Sequence, residues 1–143
     1  MRSRIPQAEL DLLSRVPLFT QCSRDELREI AKLGTRLQIG EGAQLTKEGA
    51  PGHEFFLLLD GEADCAVHGS TAAVLGPGDF FGELSLLDGG PRTATITAVT
   101  PLTVTVLSAG EFRGLLRTAP SISIKLLSNL SGRLRDAQAS AIY

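Results

Sequence analysis

Arg92 is the residue whose type and surroundings most clearly indicate chemistry. It is one of only two Lys or Arg residues between positions 37 and 112, whereas acidic residues are frequent there. Such an arginine forms a structural ion pair, for which Asp79, Glu83 and Asp88 are candidates, or it holds a ligand anion. A planar guanidinium suits the second role because it binds phosphate through paired hydrogen bonds. The charge pattern alone leaves both roles open.

The segment before Arg92 contains other groups that a phosphate ester of a sugar requires. Gly82 lies directly before the short helical pattern of residues 83–87, and backbone amides at such a turn attract anions. A glycine there also lets a ligand approach the main chain closely. The carboxylate of Glu83 can accept hydrogen bonds from sugar hydroxyls. We expect it to face the sugar, because a phosphate would repel it.

Helical patterns lie on both sides of the central part of the chain. In the N-terminal part, residues 23–26 form a capping-box pattern, in which a serine and a glutamate satisfy each other's backbone amides. In the C-terminal part, residues 108–111 repeat this pattern. Pro120 then separates a first helix from a longer one that carries a broad apolar stripe.

The central part of the chain is typical of short β-strands separated by turns. Asp60-Gly61, between two apolar segments, predicts a β-hairpin. Many short strands at this spacing indicate a sandwich, a jelly roll or a barrel. The predicted strands are residues 35–39, 43–46, 54–59, 62–68, 71–75, 92–98 and 102–107.

The order of residues in the segment 80–95 resembles a known motif. FGELSL at residues 81–86, followed by PRTAT at residues 91–95, is similar to the phosphate-binding cassette of the cyclic nucleotide-binding domain family. This family includes catabolite activator regulators, protein kinase regulatory subunits and cyclic-nucleotide-gated channels. The resemblance extends over nearly the whole chain, from the helix after Phe19 to residues 109–140.

The resemblance implies a mainly β fold. This is an antiparallel eight-stranded β-roll of jelly-roll type, flanked by N-terminal and C-terminal helices. Residues 1–143 would form a single cyclic nucleotide-binding domain. Its parts would be N-terminal helices at 1–34, the β-roll with its cassette at 35–107, and C-terminal helices at 108–143.

The resemblance also implies roles for the cassette residues. Arg92 would pair with the exocyclic oxygens of the cyclic phosphate, and the backbone amides near Leu84 and Ser85 would add donors. Glu83 would accept a hydrogen bond from the ribose 2′-hydroxyl, with the Gly82 backbone close by. The ligand-binding residues are therefore expected to come almost entirely from one continuous segment.

The identity of the nucleotide and the cover over its base are less closely specified. Thr93 is either an ordinary strand residue or a hydroxyl that reaches the phosphate or a guanine edge, so cAMP is favoured and cGMP stays open. Gln138 is the polar candidate for covering the base. Leu130 and Leu134 would form an apolar lid or pack in a core or dimer, and Tyr143 would stack on the base.

These features predict a cytoplasmic cyclic-nucleotide receptor that is not an enzyme and needs no cofactor beside its ligand. We expect output through movement of the C-terminal helices, an unknown effector protein, and a homodimer through residues 126–134. Two alternatives stay open: a nucleotide-independent interaction module, and the sensing half of a catabolite-activator-type regulator without its DNA-binding domain. Direct DNA binding by this chain alone is not expected.

The composition argues against several other classes of protein. The net charge of −2 does not suit a strongly basic nucleic-acid binder, and no apolar stretch reaches the ~20 residues of a membrane span. His53 and His68 lack metal-ligand spacing, as do Cys22 and Cys65, so no metal site is expected. Two cysteines are too few for a disulfide framework, which favours a reducing cytoplasm. No catalytic triad or nucleophile-elbow pattern is present.

Overall fold

In the computed structural model, two four-stranded antiparallel sheets lie between helical segments of the chain. The structure describes residues 5–142, with side chains for residues 5–139. The strands are β1 Thr35–Ile39, β2 Gln44–Thr46, β3 Glu54–Asp60, β4 Ala63–Val67, β5 Ser70–Leu75, β6 Phe80–Phe81, β7 Thr95–Ala98 and β8 Leu102–Ser108. The helices are α1 Gln7–Ser14, α2 Arg24–Ala31, α3 Glu83–Asp88, α4 Ala109–Thr118 and α5 Pro120–Ile142. The predicted eight-stranded antiparallel roll with flanking helices is confirmed.

Two strands near the cassette differ from the expectation. Phe80–Phe81 forms β6, which pairs with β3 and was not predicted, because two residues show no alternating pattern. The strand expected from residue 92 begins only at Thr95. Arg92 lies outside it because its backbone hydrogen-bonds with a loop at Gly49 and Ala50 instead of with a strand.

The hairpin predicted at Asp60-Gly61 is wrong, although the turn itself is present. One sheet has the order β1-β8-β3-β6 and the other β2-β7-β4-β5. The turn therefore passes the chain from β3 in one sheet to β4 in the other. The central residues of β3, 55–59, are all buried, so the backbone groups at both edges of this strand need hydrogen-bond partners. Strands β8 and β6 supply them, one at each edge.

The two-residue hairpin lies one turn later, between β4 and β5. Val67 pairs with Ser70 across the turn formed by His68 and Gly69. Both turn residues have positive φ, 53° and 79°. This is the backbone of a type I′ turn, which matches the twist of the flanking strands.

Residues 32–113, which contain all eight strands, form one compact unit. Its apolar core includes side chains from both sheets, such as Leu58 and Val104 of one and Ile96 and Ala98 of the other. The core also includes Phe56 and Phe81 of the first sheet, whose rings stack with centroids 4.8 Å apart. The strands that lead into the cassette are thus anchored in the core.

The other unit comprises the N-terminal helices and the chain from Gly114 onward. Its buried residues include Phe19, Leu27 and Ile122. The apolar stripe of α5 is buried only in its first part, whereas Leu127 and Leu134 are 63% and 60% exposed. None of the described helices combines the length and apolar character needed to cross a membrane.

Both predicted capping boxes are confirmed. At α2, Ser23 Oγ accepts from the Glu26 N–H at 3.1 Å, and Glu26 Oε1 accepts from the Ser23 N–H at 2.8 Å. At α4, Ser108 and Glu111 exchange the same two bonds at 3.2 and 2.9 Å. The helices begin where the sequence indicates because these bonds satisfy amides that have no partner within the helix.

Candidate functional site

The turn into the cassette is built on Gly82. Its φ of 92° is left-handed, and it lies directly before α3. A Cβ at Gly82 would lie 2.6 Å from Glu54 O and 2.8 Å from Arg92 Nη1. Both the backbone angle and the lack of space therefore require glycine here.

The loop between β2 and β3 holds the backbone of Arg92. The Arg92 N–H donates to Ala50 O at 2.8 Å, and the Gly49 N–H donates to Arg92 O at 2.8 Å. These two bonds fix the point at which the arginine side chain leaves the main chain. A segment more than forty positions earlier in the sequence thus positions Arg92.

The Arg92 side chain is buried, with 6% of the residue exposed. Its Nη1 donates to Glu54 O at 3.0 Å and to Gly82 O at 3.2 Å. Its Cζ lies 5.8 Å from the centre of the Phe56 ring. Backbone carbonyls are neutral acceptors, so these contacts orient the guanidinium without cancelling its charge.

Two acidic residues act electrostatically on this guanidinium. Burial lowers the pKa of Arg92 because desolvation penalises the charged form, whereas the charges of Glu54 and Glu83 raise it. An arginine nevertheless stays protonated in proteins. Glu83 is itself buried, with 3% exposed. The site is therefore a buried cation with carboxylates close by.

Two of the three acids considered as ion-pair partners have other roles. Asp79 Oδ2 accepts from the Gly76 N–H at 2.8 Å, and Asp88 Oδ1 accepts from the Gly90 N–H at 2.8 Å. Each carboxylate therefore stabilises a turn beside the cassette. Of these three acids, Glu83 is the one that acts on Arg92.

The predicted site residues are only partly gathered around the guanidinium. Gly82 contacts Arg92 directly, and Glu83 acts on it electrostatically. Ser85 is buried, with 5% exposed, whereas Leu84 is half-buried. Thr93 is exposed.

Two residues proposed to cover the base lie at the end of the chain. Gln138 is exposed on α5. Tyr143 lies outside the described residues. The assignment of a base-covering residue therefore stays a prediction.

A cavity of about 340 Å³ lies beside the cassette. Its wall includes Ser85 and Leu86 of α3, and Gly52 and His53 of the loop before β3. The other lining residues are Gly49, Pro51, Gly89, Gly90, Pro91 and Ala109. The volume is near the lower end of the range of about 300–1,000 Å³ that is usual for small-molecule sites.

Several residues around Arg92 were not expected from the sequence, among them Gly49, Gly52 and Glu54. Pro51-Gly52 indicated only a turn, and Glu54 only the start of a strand. Their position beside the arginine depends on which distant segments pair. No local pattern in the sequence could have shown it.

Comparison with known families gives a match over most of the unit that contains the strands. The family model described as the cyclic nucleotide-binding domain matches residues 36–119 of this chain. The chain belongs to the cyclic nucleotide-binding domain family. The family resemblance drawn from the cassette is thereby confirmed, and this domain is regulatory and not catalytic.

Curated members of the family include proteins of several kinds. A cAMP-dependent protein kinase regulatory subunit of Colletotrichum orbiculare is 41% identical over 108 residues, covering 74% of this chain and 28% of the relative. A CRP-like cAMP-activated global transcriptional regulator of Mycobacterium tuberculosis is 27% identical over 130 residues, covering 87% of this chain and 58% of the relative. The chain thus spans about a quarter to three-fifths of these proteins.

Solved structures of the family show the same fold. The catabolite activator protein of Thermus thermophilus has a TM-score of 0.81 at 31% identity, covering 87% of this chain and 61% of that chain. A cAMP-bound structure of PfPKA-R has a TM-score of 0.78 at 30% identity, covering 92% of this chain and 47% of that chain. These similarities support the β-roll with its flanking helices as a cyclic nucleotide-binding fold.

Proposed function

We propose that this domain is a receptor for cAMP in which Arg92 anchors the cyclic phosphate. The observation that carries this proposal is the buried guanidinium, which two carbonyls orient beside the FGELSL cassette. A guanidinium held in this way retains donors for paired hydrogen bonds to a phosphate. The relatives named as cAMP-dependent and cAMP-activated support cAMP as the ligand, with cGMP as the alternative.

The remaining contacts of the nucleotide follow from the cassette. Glu83 accepts from the ribose 2′-hydroxyl beside the Gly82 backbone, and the amides of Leu84 and Ser85 add donors to the phosphate. Support comes from the burial of Glu83 and from its place next to the left-handed turn. Thr93, which is exposed, is available to select between adenine and guanine.

Isothermal titration calorimetry of nucleotide-free protein tests the proposal. We expect saturable heat with cAMP and weaker binding of cGMP. No heat with either nucleotide at about 1 mM would contradict the proposal. It would favour the alternative of an interaction module that does not use nucleotide. Tighter binding of cGMP than of cAMP would overturn only the choice of cAMP as the preferred nucleotide.

We infer that the output of binding is movement of the C-terminal helices. Phe112 of α4 stacks on Phe55 with centroids 4.9 Å apart, and Phe55 stacks on Phe80, which leads into the cassette, at 5.7 Å. This aromatic row is a physical connection through which a ligand-dependent shift can reach α4. Hydrogen exchange of residues 109–142 with and without cAMP is expected to differ. Identical exchange would contradict the inferred output.

A homodimer is the assembly that we propose for this domain. Ile124, Leu127 and Leu134 are 67%, 63% and 60% exposed on α5. Their helical spacing places them in one stripe, which a second copy would bury. The three exposed side chains support an interface of α5 against its counterpart.

The effector and the cellular location also belong to this proposal. Because the curated relatives are longer, the effector is a partner protein or a further domain, such as the DNA-binding part of a regulator. A cytoplasmic location is supported by Cys22 and Cys65, which are thiols and do not form a disulfide. Burial raises the pKa of the Cys22 thiol, which keeps it protonated and less reactive.

A further inference from the structure

A glycine outside the cassette touches the Arg92 side chain. A Cβ built at Gly52 would overlap Arg92 Nε and would lie 2.5 Å from Cζ and 2.6 Å from Cδ. Cβ atoms essentially never approach other heavy atoms so closely. The arginine side chain therefore occupies the space that the β-carbon of any other residue at position 52 would need.

Gly52 differs from Gly82 in what its replacement would disturb. Gly82 has a left-handed φ, and a Cβ there would meet the backbone oxygen of Glu54, so a substitution strains the fold itself. The φ of Gly52 is not in the left-handed region, and the three atoms nearest to a Cβ there all belong to the Arg92 side chain and not to the backbone. The fold can accept alanine at position 52 by moving the Arg92 guanidinium.

We propose that Gly52 is a positioning residue for the phosphate anchor. Because Gly52 has no side chain, the Arg92 guanidinium can lie against the loop between β2 and β3. In this position Nη1 donates to Glu54 O and Gly82 O. A binding group must keep its place within about 0.5 Å to function. A methyl group at position 52 displaces the guanidinium farther than that. This inference rests on the proposed function for the identity of its ligand.

Calorimetric titration with cAMP of Gly52→Ala and of a matched control tests the inference. Gly40→Ala is the control, because Gly40 also lacks a left-handed φ and has nothing within 4 Å of its Cβ position. We expect Gly52→Ala to weaken cAMP binding by about tenfold or more, equivalent to about 1.4 kcal/mol. Gly40→Ala should bind as the parent does. Equal affinity of Gly52→Ala and the parent would overturn the inference.

A second measurement reports the position of Arg92 without nucleotide. The Nε–Hε signal of Arg92 in a ¹⁵N NMR spectrum is assigned by its loss in Arg92→Ala. It should shift in Gly52→Ala and stay in place in Gly40→Ala. An unmoved signal in Gly52→Ala overturns the positioning role. If the parent binds no cAMP, the proposed function fails, and this signal alone decides the role of Gly52.

Thermal unfolding separates the contact with Arg92 from a general effect on folding. Any lowering of Tm by Gly52→Ala should disappear in the Arg92→Ala background, because the side chain that the methyl group meets is then absent. The same lowering in both backgrounds would show that alanine disturbs the loop and not Arg92. That result would overturn the inference.

Discussion

Among single residues, Arg92 is the buried charge to which the proposed phosphate contact is assigned. A buried charge is costly unless it is hydrogen-bonded or paired. Two carbonyl acceptors, the charges of Glu54 and Glu83, and the face of Phe56 together compensate for its burial. Such an arrangement keeps the guanidinium in one position, as the proposed phosphate contact requires.

We expect Arg92→Ala to lower the affinity for cAMP by at least about 2 kcal/mol, or about thirtyfold, as is usual when one member of a buried charge pair is removed. Calorimetry measures the loss, and circular dichroism checks that the variant is folded. Arg113→Ala removes the same charge from an exposed position on α4 and should bind as the parent does. Parental affinity in folded Arg92→Ala would refute the phosphate contact.

Glu83 gives a prediction about the sugar. The parent should bind cAMP more tightly than 2′-deoxy-cAMP by about 1–2 kcal/mol, because a carboxylate acceptor makes a strong hydrogen bond to the hydroxyl. In Glu83→Gln this difference should shrink, since the amide is a neutral partner. The ratio of the two affinities is the measurement. An unchanged ratio in the variant would show that the 2′-hydroxyl does not hydrogen-bond with Glu83.

At the scale of elements, the carboxylate of Glu111 connects the start of α4 with the start of β1. It accepts from the Ser108 N–H at 2.9 Å and from the Gly34 N–H at 3.0 Å. These backbone hydrogen bonds, that with Ser108 first, lower the pKa of Glu111 from its ordinary value of 4.5. One side chain thus fixes the beginning of both a helix and a strand.

The lowered pKa of Glu111 sets a direction for the pH dependence of stability. Because the folded state favours the carboxylate, this contribution is complete above about pH 4.5 and is lost as the pH falls through the folded-state pKa. We expect Glu111→Gln to be about 1 kcal/mol less stable at pH 7, the usual value of a hydrogen bond.

Urea unfolding at pH 7 and at about pH 3 measures the effect of Glu111→Gln. The difference from the parent should shrink as the pH falls, because protonation of the parent carboxylate removes its contribution. Glu41→Gln, at an exposed turn position, is the control and should match the parent at both values. A difference that does not change with pH would rule out the carboxylate as its source.

For the whole molecule, the surface of α5 is the feature that the fold leaves unexplained. Its first part is buried at Ile122 and Leu126, whereas Leu127 and Leu134 face solvent. Exposed leucines at helical spacing are unfavourable in an isolated domain. Association between copies would remove this surface from water.

We expect the domain to be a dimer whose association is weakened or abolished by a charge at the α5 stripe. Leu127→Asp should move the sedimentation profile to the monomer, because a buried carboxylate without a partner is costly. Asn129→Asp places the same charge on another side of α5 and should leave the profile unchanged. A parent that sediments as a monomer at every concentration would exclude the dimer.

The local features of this protein could be predicted from its sequence. The cassette is one continuous segment, and the capping boxes involve residues three positions apart, so hydrogen bonds within a few residues decide both. The family could be predicted from one such local pattern, the cassette, and the eight-stranded roll from the resemblance to that family. The order of residues alone was sufficient for them.

Contacts between distant segments were decided only in the folded chain. The turn at Asp60-Gly61 would reverse the chain whether or not β3 paired with β4. In the folded chain β3 is buried and pairs with β8 and β6 at its two edges instead. In the same way, Gly52 and Glu54 reach Arg92 only because the loop before β3 pairs with the residues before β7. Pairing of this kind depends on the total surface buried by many residues, which no short segment specifies.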